Sequence, residues 1–110
     1  MASLGTDKVR IESDPAKAVE GCDVLYTDVW VSMGKEEESA GRLEVLRPFQ
    51  LNAELLAKTG KDSIVLHCLP AYREQEITEE VLESQANVIF EQAENRLHAQ
   101  KAILCNCVSS

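Results

Sequence analysis

The chain has 110 residues, a formal net charge of −8 and four cysteines, a length that admits one domain at most. Apolar residues make up 45% and charged residues 27%, which fits a globular fold and argues against a disordered chain. The acidic balance, with no clustered positive patch, argues against a nucleic-acid or anionic-membrane surface, and no run of about 18 apolar residues is present to span a bilayer.

Cys22, Cys68, Cys105 and Cys107 include no C-x-x-C pair, so zinc-ribbon and redox-motif readings fall away. With enough aliphatic residues to build a core, the chain has no need of a disulfide framework, and a reduced, cytoplasmic setting is expected. Met1–Thr6 lacks the basic-then-apolar pattern of a signal segment.

Val9–Glu12 alternates apolar and charged residues and predicts a short strand. Asp14-Pro15 supplies a cap and a first-turn proline for a helix that ends near Gly21. Asp23–Thr27 predicts a second strand, and Asp28–Lys35 the loop that leaves it. Glu36–Arg47 predicts a helix closed by Pro48, and Asn52 caps a shorter one over Ala53–Ala57. Ser63–His67 is a continuous apolar run that predicts a buried strand. Thr78, followed by Glu79, Glu80, Val81 and Leu82, starts another helix. Asn87–Phe90 predicts a fourth strand and Ala93–Leu104 the last helix. Elements alternating in this way predict an α/β fold: a parallel sheet of about four strands with helices on both faces, an incomplete Rossmann-like domain.

In such sheets ligands bind beyond the carboxyl ends of the strands. Three polar segments are expected there: Asp28–Gly34, His67–Arg73 and Glu91–Arg96. Asp28 can pair with a substrate ammonium or act as an ordinary loop acid. Ser32 and Met33 precede Gly34, which permits close backbone approach, although a methionine also serves as core packing. Trp30 reads as a packing residue. Cys68 can be a nucleophile, a metal ligand, a substrate-contacting thiol or a small buried side chain. A zinc site is not expected, because His67 and His98 lie far apart with no further ligand pattern. Arg96, placed near a helix start, suits an anion or polarised carbonyl, or a surface ion pair with Glu91 or Glu94.

Asp28-Val29-Trp30-Val31-Ser32-Met33-Gly34 resembles the ornithine-binding SMG loop of the ornithine carbamoyltransferases. His67-Cys68-Leu69-Pro70 resembles the HCLP motif of that family, and Glu94-Asn95-Arg96-Leu97-His98-Ala99-Gln100-Lys101-Ala102 its final-helix signature. The three occur in family order, and the resemblance covers roughly Val9 to Leu104. It implies transfer of a carbamoyl group from carbamoyl phosphate to the side-chain amine of ornithine, without a redox or organic cofactor or a metal. It assigns Asp28, Ser32 and Met33 to ornithine, Cys68 and Leu69 to the junction with the carbamoyl group, and Arg96, supported by His67, to the carbamoyl end. It also implies a homo-oligomer for the complete protein and a cytoplasmic location, or a mitochondrial matrix one for a eukaryotic enzyme.

The sequence departs from the family pattern where Tyr72-Arg73-Glu74 stands in place of a common His-Arg-Gly, and glutamate tolerates the positive φ of a glycine poorly. The family's Ser-x-Arg-Thr and H-P-x-Q motifs are not in these 110 residues. Residues 1–110 are therefore expected to be the carboxy-terminal part of an ornithine-binding domain without the carbamoyl-phosphate-binding domain, inactive alone and prone to self-association. Competing expectations are a noncatalytic module that binds an amino acid or a partner chain, and a carbamoyltransferase acting on putrescine or another amine.

Overall fold

The structure, a computed structural model, describes residues 8–31 and 39–109. Helix α1 spans Pro15–Val19, strand β1 Val24–Thr27, α2 Ser39–Leu46, α3 Ala53–Ala57, β2 Ile64–His67, α4 Glu79–Ser84 and α5 Ala86–Val108. The fold is α/β, and β1 and β2 are parallel in the register Val24↔Ile64 to Thr27↔His67.

Local chemistry explains most of the boundaries. The Asp14 carboxylate accepts from the Ala16 amide at 3.0 Å, and Pro15 occupies a position where a missing N–H costs nothing. The Asn52 side chain accepts from Leu55 N–H at 2.8 Å to start α3. Thr78 caps α4, whose first turn carries Glu79 and Glu80 against the positive end of the helix. Gly21 and Gly60, which follow α1 and α3, take φ of +73° and +75°, a conformation that costs glycine least. Pro48 lies in a 3-10 turn, Arg47–Phe49, that closes α2.

Among the described residues the sheet has two strands, not about four. Val9–Glu12 is not a strand: Val9 and Ile11 are exposed, and the Arg10 guanidinium instead donates to the Lys17 carbonyl. Asn87–Phe90 forms the first turn of α5. A four-residue apolar run is compatible with either element, and no glycine or proline between Ala71 and Ser110 breaks a helix there.

The core gathers Val19, Leu25, Leu51, Val65, Ile77, Val81, Leu82 and Ile89, each side chain stabilising by about 1.5–3 kcal/mol when fully buried. Leu25 and Val65 are neighbours in register on the buried face of the sheet. Val24, Tyr26 and Ile64 on the opposite face stay 46%, 58% and 40% exposed. Helix α5 packs on β2, and the Gln85 side chain accepts from Val65 N–H at 3.2 Å. No helix among the described residues is long and apolar enough to cross a membrane.

Between β2 and α4 the chain turns through Glu74 at φ +65°. This is the position where the pattern of the resembled family commonly has glycine, so the turn is kept and glutamate bears the strain. Two contacts offset it: Glu74 N–H donates to Ile77 O at 2.9 Å, and Glu74 Oε1 accepts from Glu79 N–H at 2.8 Å. Left-handed backbone costs a non-glycine residue roughly 1–2 kcal/mol, and a side-chain cap contributes about 1 kcal/mol. Glu74→Ala keeps the strain and loses the cap, so it should lower unfolding stability by about 1 kcal/mol. Glu74→Gly removes both and should stay within about 0.5 kcal/mol of the parent. Urea-unfolding midpoints of the two variants check this ordering, and a glycine variant less stable than the alanine variant contradicts it.

Candidate active site

Because Thr27 pairs with His67, the residues that follow, Asp28 and Cys68, leave the two strands side by side. The Cys68 thiol donates to Asp28 Oδ1 at 3.0 Å, and the Val29 amide donates to the same oxygen at 2.7 Å. The hydrogen bond from Cys68, then that from Val29, holds the Asp28 carboxyl below its ordinary value of 3.8. The same bond to Asp28, with burial and the carboxylate's charge, pushes the Cys68 thiol above its ordinary 9.0, while the Arg96 charge pulls weakly the other way. At neutral pH the pair is therefore a carboxylate beside an intact thiol. That disfavours a nucleophilic role for Cys68, which needs the thiolate, and suits a thiol that lines a site built around the Asp28 charge.

His67 lies beneath this pair and is fully buried. Leu69 N–H donates to its Nδ1 at 2.8 Å, so the ring proton resides on Nε2, which faces Glu76 Oε1 at 2.8 Å. Tyr72 N–H donates to that same Glu76 oxygen at 2.8 Å. Both ring nitrogens of His67 are thus taken up inside the chain. Leu69 is half-buried against the core, has φ +56° and is joined to Pro70 by a cis peptide bond.

Of the seven residues singled out from the sequence, Asp28, Cys68, His67 and Leu69 come together at the strand ends. Ser32 and Met33 lie outside the described residues. Arg96 is not near a helix start: α5 begins at Ala86, so Arg96 lies in its third turn, exposed, and the Glu91–Arg96 segment does not follow a strand. Its charge nonetheless reaches Cys68. Arg73, the other arginine near the rim, is committed to Glu79 and Glu83 of α4 at 2.7 and 2.8 Å. Trp30 is half-buried and lines a cavity of about 190 Å³ with Leu43, Arg47, Gln50, Glu74 and Gln75. A wider cleft of about 560 Å³ lies between α3 and α4 at the amino end of β2, the opposite end from Cys68. Among the described residues no group of three His, Cys, Asp or Glu side chains could hold a metal.

Glu76 was not legible as a site residue. It is one of five glutamates between positions 74 and 83, and only the need of a buried strand-end histidine for a partner pointed toward any of them.

The electrostatic coupling can be checked directly. With Cys22, Cys105 and Cys107 replaced by serine, Asp28→Asn removes the charge that suppresses Cys68 ionisation. Its iodoacetamide alkylation at pH 8 should then rise roughly three- to tenfold through a larger thiolate fraction. In the parent, the pH profile should have its midpoint above 9.0. An unchanged rate in the variant contradicts the pairing.

The family model for the aspartate/ornithine carbamoyltransferase Asp/Orn binding domain matches residues 2–107. An ornithine carbamoyltransferase of Ignicoccus hospitalis is 63% identical over 91 residues, covering 83% of this chain and 29% of that protein. One of Methanothermobacter thermautotrophicus is 56% identical over 97 residues, covering 88% and 32%. Among solved structures, the anabolic ornithine carbamoyltransferase of Campylobacter jejuni superposes with a TM-score of 0.79 at 46% identity, covering 84% of this chain and 30% of that one. The Pyrococcus furiosus enzyme gives 0.75 at 52% identity, covering 84% and 29%. The chain thus spans about 30% of the length of these relatives. With the strand-end cluster in a parallel sheet, these likenesses assign the chain to the aspartate/ornithine carbamoyltransferase family, within its Asp/Orn binding domain.

Proposed function

We propose that this chain is the carboxy-terminal part of the ornithine-binding domain of an ornithine carbamoyltransferase, with carbamoyl phosphate held by a domain outside these 110 residues. The observation that carries the reading is the Asp28–Cys68 pair at adjacent parallel strand ends, 3.0 Å apart, with the carboxyl held ionised. A fixed carboxylate attracts an ammonium, and a neighbouring un-ionised thiol adds no competing negative charge.

In this reading Asp28, with Ser32 and Met33, binds ornithine through its α-amino end. Cys68 and Leu69 line the junction where the side-chain amine meets the carbamoyl carbon. The amine lone pair attacks that carbon, the C–O bond to phosphate breaks, and the nitrogen sheds its proton as phosphate leaves. Charge develops on the carbamoyl oxygen, and fixed positive or hydrogen-bonding groups stabilise it. The Arg96 guanidinium is the candidate cation for that end. His67 contributes from beneath, through the loop its ring holds. Alignment of the two substrates supplies the orientation term. The reading needs no cofactor, metal, nucleic acid or membrane. It has the complete protein acting as a cytoplasmic homo-oligomer, and the isolated chain self-associating through exposed apolar side chains such as Tyr26, Leu97 and Leu104.

Two measurements test it. The purified chain should form no citrulline from ornithine and carbamoyl phosphate, and a robust rate from it alone would contradict the division of labour. In a complete enzyme carrying these residues, Asp28→Asn should weaken ornithine binding by roughly 1.5–3 kcal/mol, the worth of a hydrogen bond to a charged group. Carbamoyl phosphate binding should change far less. An equal loss for both ligands, or putrescine accepted as readily as ornithine, would overturn the assignment.

A further inference from the structure

We propose that Glu76 is the positioning residue of this site, acting through the buried His67 ring to set where Cys68 and Leu69 stand at the strand end. Glu76 and His67 are both fully buried. Removing a carboxylate from water is costly unless donors replace its hydration. Among the described residues two donors reach this one, His67 Nε2–H and Tyr72 N–H, both at 2.8 Å and both on Oε1, while Oε2 has no partner among them. The two donors lie on either side of Cys68-Leu69-Pro70-Ala71. A single oxygen therefore fixes both ends of the segment that carries the candidate site residues.

The ring transmits this constraint. Its Nε2 proton faces Glu76, which leaves Nδ1 free to accept Leu69 N–H at 2.8 Å. The reverse tautomer would set two hydrogens against each other at Nδ1 and two acceptors against each other at Nε2. Leu69 has φ +56°, a conformation that persists where surrounding contacts over-determine it. Glu76 is itself anchored from behind, where its carbonyl accepts Leu51 N–H at 2.8 Å and Thr78 N–H donates to Leu51 O at 3.1 Å. The path runs from core backbone to carboxylate, to imidazole, to the Leu69 amide and so to the Cys68 thiol beside Asp28.

The inference rests on reading the Asp28–Cys68 cluster as the amino-acid-facing site, but its test uses no substrate, so failure of one is distinguishable from failure of the other. The 110-residue chain is used with Cys22, Cys105 and Cys107 replaced by serine. Long-range ¹H–¹⁵N correlation should find His67 as the Nε2–H tautomer, and the Nδ1–H tautomer or an imidazolium overturns the proposal. Glu76→Ala should release the loop from Asp28 and speed Cys68 alkylation about tenfold, through a larger thiolate fraction once the Asp28 carboxylate no longer holds the thiol proton. Glu76→Gln retains an acceptor oxygen and should stay within about twofold of the parent for the same reason. A role in stability alone would shift the unfolding midpoint and leave the alkylation rate of folded Glu76→Ala at the parent value, which overturns positioning. Equal acceleration in the glutamine and alanine variants overturns it too. Should the alanine variant not fold, Glu76→Asp, one methylene shorter, takes its place: faster alkylation than in Glu76→Gln supports the proposal, and the parent rate overturns it.

Discussion

The parallel register of two short strands is the constraint on which the rest depends. Parallel pairing brings both carboxyl ends to one rim, and the match of Thr27 with His67 decides which residues emerge there together. A slip of one residue would send the alternating side chains to opposite faces. Leu25 and Val65 would leave the core and His67 would be expelled from its buried position. The apolar core and the polar pair are thus alternative readings of one alignment. Burial of Leu25 and Val65 enforces the neighbourhood of Asp28 and Cys68 without either polar residue contributing much stability.

Below the rim the chemistry changes from exposed to enclosed. Asp28 is exposed and tuned by local donors, chiefly the Cys68 thiol and the Val29 amide. Glu76 is fully enclosed, with its donors supplied by one loop. The two carboxylates stand on opposite sides of the Cys68–Leu69 segment in function as well as depth: one faces incoming solutes, and the other faces only the protein. The formal charge of −8 says little about either, because solvent screens the surface charges over about 10 Å while these groups are set by contacts of about 3 Å.

What could be read from the sequence was local or motif-borne. Asp14, Asn52 and Thr78 were legible as caps because each has an oxygen poised over the next amides. β1 and β2 were legible as short β-rich runs. The strain at Glu74 was legible because a family glycine marks a backbone angle. The failures are tertiary. Nothing in Asn87–Phe90 distinguishes a strand from the first turn of a helix, and placing a strand there misplaced Arg96 by two helical turns relative to the start of α5. Val9–Glu12 alternates as a strand should, but alternation does not supply a partner. Glu76 was hidden for the same reason: its significance lies in a histidine nine positions away, and the choice among neighbouring glutamates is made only when the loop closes.

The bond from Val65 N–H to the Gln85 side chain has a consequence for how this sheet can be completed. In a parallel strand alternate amides point to opposite edges. Ile64 N–H donates to Asp23 O on the β1 side, so Val65 N–H points outward, where an added strand would seek it. Gln85 already occupies that donor, so a newcomer would have to expel a side chain bonded at 3.2 Å before making its own ladder. The glutamine acts as a terminator on that flank and discourages runaway edge-to-edge polymerisation. The cost falls on that flank alone, because the bond lies on the side of β2 away from β1.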